Sequence, residues 1–293
     1  MKMEWRKRKK RIIYAVREAG KGLLNEFMEG FLFLLWTSAP PYGSKIFYSC
    51  LEDTFSSQRV YLYLHRLYRK GFIHKIKKDG SIFFTSKKPP QDIIFNDLER
   101  LRMEFFKKKW NGKWWLIIYD IPERRRSKRD LFRMFIKELG FGKVKESCWI
   151  SPYDFSPQIY DFTKRENIIK YICLHEGRLF TGKSIDATVE EIWHLKELNE
   201  KYEEVIELCK EGIEKVETES LSPSQCYNLY LKVFFSYKKV IKEDPFLPQE
   251  FLKNWKRNEA EKMFEKFSKV ASRELQFLSK KRPIISSHGR RLK

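Results

Sequence analysis

Three stretches of this 293-residue chain carry residues whose types and spacing could do chemistry. The first, residues 177–184 (GRLFTGKS), satisfies the phosphate-loop pattern GxxxxGK[ST] and follows a strand-like run. Such a loop must let backbone N–H groups curl around phosphates, and Leu179 and Phe180 suit that poorly. The succession of βα units that carries mononucleotide loops is also missing around it. We read the match as coincidence. The second is Asp120, at the end of an apolar run and just before Ile121-Pro122. A carboxylate there could bind a divalent cation, but such a cation needs two or more oxygen ligands. The plainer role is a cap on the following helix, or a partner for Arg124 or Arg125. Asp120 is catalytic only if the chain cleaves nucleic acid.

The third stretch is Ser57-Gln58-Arg59, with Tyr61, His65 and Arg66 further along and Lys75, Lys77 and Lys78 beyond. Gln and Arg read base edges through paired hydrogen bonds, whereas Lys and Arg hold phosphates. Ser57, Gln58, Arg59, Tyr61 and His65 are assigned to bases; Arg66, Lys75, Lys77 and Lys78 are assigned to the backbone. No other constellation emerges. The histidines (65, 74, 175, 194 and 288) are scattered. Cys50, Cys148, Cys173, Cys209 and Cys226 are far apart, with no CxxC and no zinc spacing. The cysteines read as buried thiols in a reducing compartment, and neither a metal nor a cofactor is assigned.

The elements that must position the third stretch are legible. Phe31 to Trp36 forms a buried helix stopped by Ala39-Pro40-Pro41, and a second helix covers 44–52. Ser56-Ser57 caps a third over 58–70, with Val60, Leu64 and Leu67 on one face and Gly71 ending it. Two β-rich arms around Asp79-Gly80 then make a basic hairpin. This order of elements spells a winged helix-turn-helix, which lays its third helix in the major groove and its wing against the backbone.

Downstream, Trp114–Tyr119 reads as a strand that ends at Pro122. A helix follows, with Leu131, Phe132, Phe135 and Leu139 inward, Arg125, Arg126, Arg129 and Arg133 outward, and Gly140 at its C-cap. A second strand spans 144–150. Strand, helix, strand suggests half of a ferredoxin-like or other βαβ unit. Further expectations are a helix over 93–109, a helical turn over 156–164 and a strand over 168–174. A long helix over 189–216 has near-heptad apolar spacing and many glutamates. Residues 226–241 are apolar almost all round. The turn 244–248 (DPFLP) precedes a last helix with Phe251, Leu252, Trp255, Met263, Phe264 and Phe267 as its inner face. The fold class is α+β: an N-terminal winged helix-turn-helix, a central ferredoxin-like domain and an all-helical C-terminal region. Domain boundaries fall at 1–22 (basic tail), 23–88 (winged helix), 89–109 (linker helix), 110–186 (central), 187–279 (helical) and 280–293 (basic tail).

Sixty basic against 39 acidic side chains leave a net charge of +21, which favours a polyanionic partner, nucleic acid first. The apolar run at 31–36 is far too short to span a bilayer, and no signal peptide is visible, so the expected location is the cytoplasm.

Residues 114–152, WWLIIYDIPERRRSKRDLFRMFIKELGFGKVKESCWISP, resemble the ferredoxin-like core of the small CRISPR adaptation endonuclease. They resemble more closely the middle domain of PaaX-like transcriptional regulators, the phenylacetate-degradation repressor family. The winged-helix block FSSQRVYLYLHRLYRKGFI adds to that likeness, as do VEEIWHLKELNEKYEEVI and LSPSQCYNLYLKVFFSYKKVIKEDPFLPQEFLKNW. The WHL and DPFLP motifs belong to that family's C-terminal half and have no counterpart in the CRISPR enzyme. The resemblance implies a homodimeric repressor that grips an inverted-repeat operator on double-stranded DNA. It also implies release by an aryl-CoA thioester, with no residue assigned to that effector. The alternative is a metal-dependent nuclease, or a nucleic-acid scaffold, built on the central domain and Asp120.

Overall fold

The computed structural model describes residues 65, 68–69, 73–78, 81–86, 97–107, 109–180 and 182–281. The helices expected at 31–36 and 44–52, and most of the one at 58–70, lie outside the described residues. The hairpin expected after Gly71 is present. Strands β1 (Ile73–Lys78) and β2 (Ser81–Ser86) pair antiparallel in the register Lys78↔Ser81, so two residues, Asp79-Gly80, connect them.

The chain divides into two compact units. The first takes the described residues of Phe95–Glu203 and Lys239–Arg257; the second includes Glu204–Lys238 and the described part of Asn258–Lys293.

Unit one opens with helix α1 (Asp97–Phe106), shorter than the expected 93–109 at its C-terminal end. Strand β3 (Trp114–Tyr119), a 3-10 turn (Glu123–Arg125) and helix α2 (Arg126–Glu138) follow. The single strand expected over 144–150 is instead two short ones, β4 (Gly142–Lys145) and β5 (Cys148–Ser151), antiparallel across a bulge. Glu146 and Ser147, both polar, form the reversal between them. Helix α3 (Ser156–Arg165) leads through a 3-10 turn (Ile169–Tyr171) into β6 (Ile172–Gly177), so the last strand starts later than expected.

The sheet order is β4-β5-β3-β6, antiparallel throughout. Counted from β3, this is the βαββαβ succession of a split βαβ unit, as in ferredoxin-like folds. Strand β3 is apolar on both sides because both faces of the sheet are covered over most of its length, Ile118 being the exposed exception. Ile117 and Tyr119 join Phe132, Phe135 and Ile136 of α2 and Ile159 and Phe162 of α3 in one core. Trp114, on the other face, joins Ile150, Val189, Leu195 and Leu247 in a second.

The helix expected over 189–216 is broken. Helix α4 (Ile185–Trp193) ends at His194, whose φ of 52° is left-handed, and α5 (Leu195–Thr218) starts afresh. The break has a packing cause. A Cβ on Gly142 would collide with Ile192 and sit 2.6 Å from Trp193, so α4 lies directly against β4. Trp193 is further pinned by its indole N–H, which donates to the Gly140 carbonyl at 3.1 Å. The chain must turn there before α5 can bury Leu195, Leu198 and Tyr202. The glutamates of α5 stay exposed, as an amphipathic helix requires.

Unit two is helical: the later part of α5, most of α6 (Pro223–Glu243) and most of α7 (Arg257–Lys281). Helix α6 is less uniformly apolar than expected, since Asn228, Lys232 and Lys239 are exposed. Its Tyr230 and Tyr237 stack on Phe267 and Phe264 of α7, and Phe234 packs at a tilt against Phe264. Phe267 also fills the space above Gly212, where a Cβ would lie 2.7 Å from the ring. Phe251, Leu252 and Trp255 are not on the last helix; they precede it and pack with Trp114 in unit one. Cys209 and Cys226 are buried, and burial pushes both thiols up to about 12. Cys173 is exposed and Cys148 half-buried, because β3 and β6 leave that corner of the sheet open, so the buried-thiol expectation fails for these two.

Candidate nucleic-acid interface

Of the residues assigned to bases and phosphates, Ser57, Gln58, Arg59, Tyr61 and Arg66 lie outside the described residues. His65 is helical and exposed, as are Tyr68 and Arg69 one turn later. Lys75, Lys77 and Lys78 lie on β1, opposite Phe84, Ile82 and Ser81 of β2. Ile73, where the strand begins, is fully buried and anchors the hairpin, while His74 is half-buried. The last two lysines therefore flank the two-residue connection at the far end from that anchor.

The phosphate-loop match takes no such form. Strand β6 runs antiparallel to β3, whereas phosphate loops follow strands of parallel sheets. The Ser184 hydroxyl accepts the Ala187 N–H at 3.2 Å and caps α4. Lys183 Nζ lies 2.6 Å from Glu191 Oε2, and this hydrogen bond holds the Glu191 carboxyl below its ordinary range.

Asp120 departs from the plainer role assigned to it. It is exposed and neither caps nor pairs among the described residues: the N-cap of the 3-10 turn is Pro122 and that of α2 is Arg125, both without a side-chain cap hydrogen bond. The pairing of β3 with β6 extends to a bond from the Asp120 N–H to the Tyr171 carbonyl at 3.0 Å. The arginines turn elsewhere. Arg125 donates to the Asn167 carbonyl at 2.7 Å, and Arg124 lies near enough to the Tyr171 phenol to lower its pKa. Among the described residues no three His, Cys, Asp or Glu side chains converge as a metal site.

With this geometry in place, comparison with known families is decisive. The model of the PaaX protein central Cas2-like domain matches residues 107–189, and that of the PaaX-like protein C-terminal domain matches 193–280. The chain belongs to the PaaX-like family. The transcriptional repressor PaaX of Escherichia coli (strain K12) is 26% identical over 179 residues, 59% of this chain. The match spans 56% of that repressor's length. Among solved structures, the uncharacterized protein Rv0674 from Mycobacterium tuberculosis shares the fold, with a TM-score of 0.52 at 14% identity. The alignment covers 83% of this chain and 92% of that one.

The DPFLP stretch, within the PaaX-like C-terminal match, closes on unit one as a buried clasp that sequence reasoning took for a simple turn. Asp244 is fully buried and Arg257 is 5% exposed. Arg257 Nε and Nη2 donate to Asp244 Oδ2 and Oδ1 at 2.7 and 3.0 Å, and the Tyr202 hydroxyl donates to Oδ2 at 2.6 Å. Asp244 Oδ1 also accepts the Phe246 N–H at 2.7 Å. That bond holds Phe246 at φ 55°, a left-handed conformation costing a non-glycine residue about 1–2 kcal/mol. The Phe246 carbonyl accepts from the Tyr153 hydroxyl at 2.9 Å, and the Arg257 guanidinium lies 4.5 Å from the ring centroid. Gly140, at φ +85°, passes so close that a Cβ would sit 2.9 Å from the Pro245 carbonyl. The one available signal was the lone Arg257 among Trp255, Lys256 and Asn258, and nothing local named its partner 13 residues earlier.

Proposed function

We propose that the chain is a sequence-specific transcriptional repressor that sits on double-stranded DNA as a homodimer. The observation that carries this is the pair of consecutive PaaX-like domain matches, together with a relative that is itself a repressor. The exposed helical His65, Tyr68 and Arg69, followed by the lysine-bearing hairpin, support a winged-helix reading head on residues 23–88. Ser57, Gln58, Arg59, Tyr61 and His65 approach base edges, and Arg66, Lys75, Lys77 and Lys78 hold phosphates. An inverted-repeat operator, release by an aryl-CoA thioester and a cytoplasmic location complete the reading. Among the described residues, no helix is long and apolar enough to cross a membrane.

Selection from a random duplex library, followed by footprinting, tests the reading: a two-fold-symmetric site supports it, and recovery of no preferred sequence ends it. On the selected site, Arg59→Ala relaxes discrimination by about 1–3 kcal/mol. Lys77→Ala weakens all duplexes alike and lowers the salt dependence by about one unit of slope. Equal losses on operator and random DNA for both variants contradict the assignment.

The exposed, unpaired Asp120 at the end of β3 favours one second reading, a metal-dependent nuclease. One carboxylate per chain is too few ligands, so incubation of duplex and single strands with Mg²⁺ or Mn²⁺ is expected to leave both intact. Cleavage that disappears in Asp120→Ala would establish the enzyme instead.

A further inference from the structure

Around Tyr171, unit one gathers cations from three places in the chain. The Arg125 guanidinium lies 5.6 Å from the Tyr171 ring centroid and Lys170 Nζ lies 5.2 Å from it, and the charge of Arg124 also acts on the phenol. Beside them, Lys128 donates to the Glu166 carbonyl at 2.7 Å and Arg165 Nε lies 3.2 Å from Glu166 Oε1. Lys164 Nζ is 5.5 Å from the ring of Tyr160, which is 52% exposed. Glu166 is the carboxylate shared by Lys128 and Arg165. No carboxylate among the described residues forms an ion pair with Arg124, Arg125, Lys164 or Lys170.

Several cations elsewhere on the described surface are neutralised. Lys113, Lys143, Lys183, Lys201 and Lys253 each meet a carboxylate within 3.1 Å. Arg125, Lys164 and Lys170 are instead set against aromatic faces, and Arg125 also against a backbone carbonyl, which fixes their positions without neutralising them. The phenol registers the field. Burial raises the Tyr171 pKa, but the nearby Arg124, Lys170 and Arg125 outweigh it, so the group sits below its ordinary value.

We propose that Arg124, Arg125 and Lys170 at Tyr171, together with Lys128, Lys164 and Arg165 at Tyr160 and Glu166, form a second nucleic-acid contact that holds the phosphodiester backbone of duplex DNA without reading sequence. Phosphates repeat along the duplex as single charges, and six cations that share the single carboxylate of Glu166 neutralise several at once with release of counterions. A net charge of +21 makes nucleic acid the best-matched occupant. The contact is independent of the proposed reading head, since its residues belong to unit one and select no base.

The test uses the full chain and fluorescence anisotropy with a random-sequence duplex, over a salt series of about 50–200 mM. Arg124→Glu/Lys164→Glu/Lys170→Glu is compared with Lys137→Glu/Lys145→Glu/Lys196→Glu, an exposed set with the same change in charge. The Tyr171 variant is expected to bind at least about tenfold more weakly, and its salt slope to shrink by about 2.7, at roughly 0.9 per phosphate lost. The control set is expected to lose far less, and the ratio of operator to random affinity to stay constant in both. Equal weakening in the two variants would show only bulk charge and would overturn the proposal. So would an unaltered DNA affinity accompanied by a changed oligomeric state, which would assign the surface to the acidic α5 face of a second copy. Failure of operator selection alone would leave this contact standing.

Discussion

Asp244→Ala lowers the free energy of unfolding by about 3–5 kcal/mol, because it leaves the Arg257 guanidinium buried without its counter-charge. Arg257 is 5% exposed and ringed by Phe106, Phe246 and Trp255, so water cannot replace the lost carboxylate. The same substitution strands the Tyr202 hydroxyl and the Phe246 N–H, and it removes the bond that keeps Phe246 left-handed. The comparison variant is Asp244→Ala/Arg257→Met. Removing both charges together costs much less than removing one, since a buried ion pair is only weakly favourable against apolar packing of similar volume. Denaturant unfolding of wild type, single and double variants checks this. A single-variant loss below about 1 kcal/mol, within reach of an exposed pair, would mean the clasp opens to water.

Trp114→Ala is expected to cost a similar amount, about 3–5 kcal/mol, by a different route. Trp114 is 4% exposed and is the hub of the second core of unit one. Its ring centroid lies 5.2 Å from that of Trp110, 5.9 Å from that of Trp193 and 5.7 Å from that of Phe251. No backbone shift can close a void bounded by α4, β3 and the 3-10 turn Gln249–Phe251, so the cavity persists along with the lost transfer energy. Trp114→Phe keeps part of the contact area and should recover about half of the loss. Near-ultraviolet circular dichroism, together with the unfolding midpoint, reports the effect; a Trp114→Ala midpoint equal to wild type would contradict it.

Much of this protein was legible before any tertiary contact was known. The strand-length run Trp114–Tyr119, the helix with Phe132 and Phe135 inward, Gly140 at its end and the hairpin around Asp79-Gly80 are local signals. Turn chemistry and periodicity act over a few residues, so the sequence states them directly. Blocks such as WHL and DPFLP likewise announced the PaaX-like family.

Other features were decided only in three dimensions. His194 breaks a helix that periodicity ran straight through, because Trp193 is held on Gly140 and Trp114, contacts more than 50 residues away. The 144–150 strand splits because β3 has room for only one neighbour, β5, on that side, and β4 must then pair with β5. Asp120 lost both of its local partners when its backbone joined Tyr171 and Arg125 turned to the Asn167 carbonyl, with Arg124 beside the Tyr171 phenol. The charge of the chain was countable from composition, but its distribution was not. Whether a lysine meets a glutamate or stands in the open depends on which segments the sheet brings together, and that is a property of long-range packing rather than of any window of sequence.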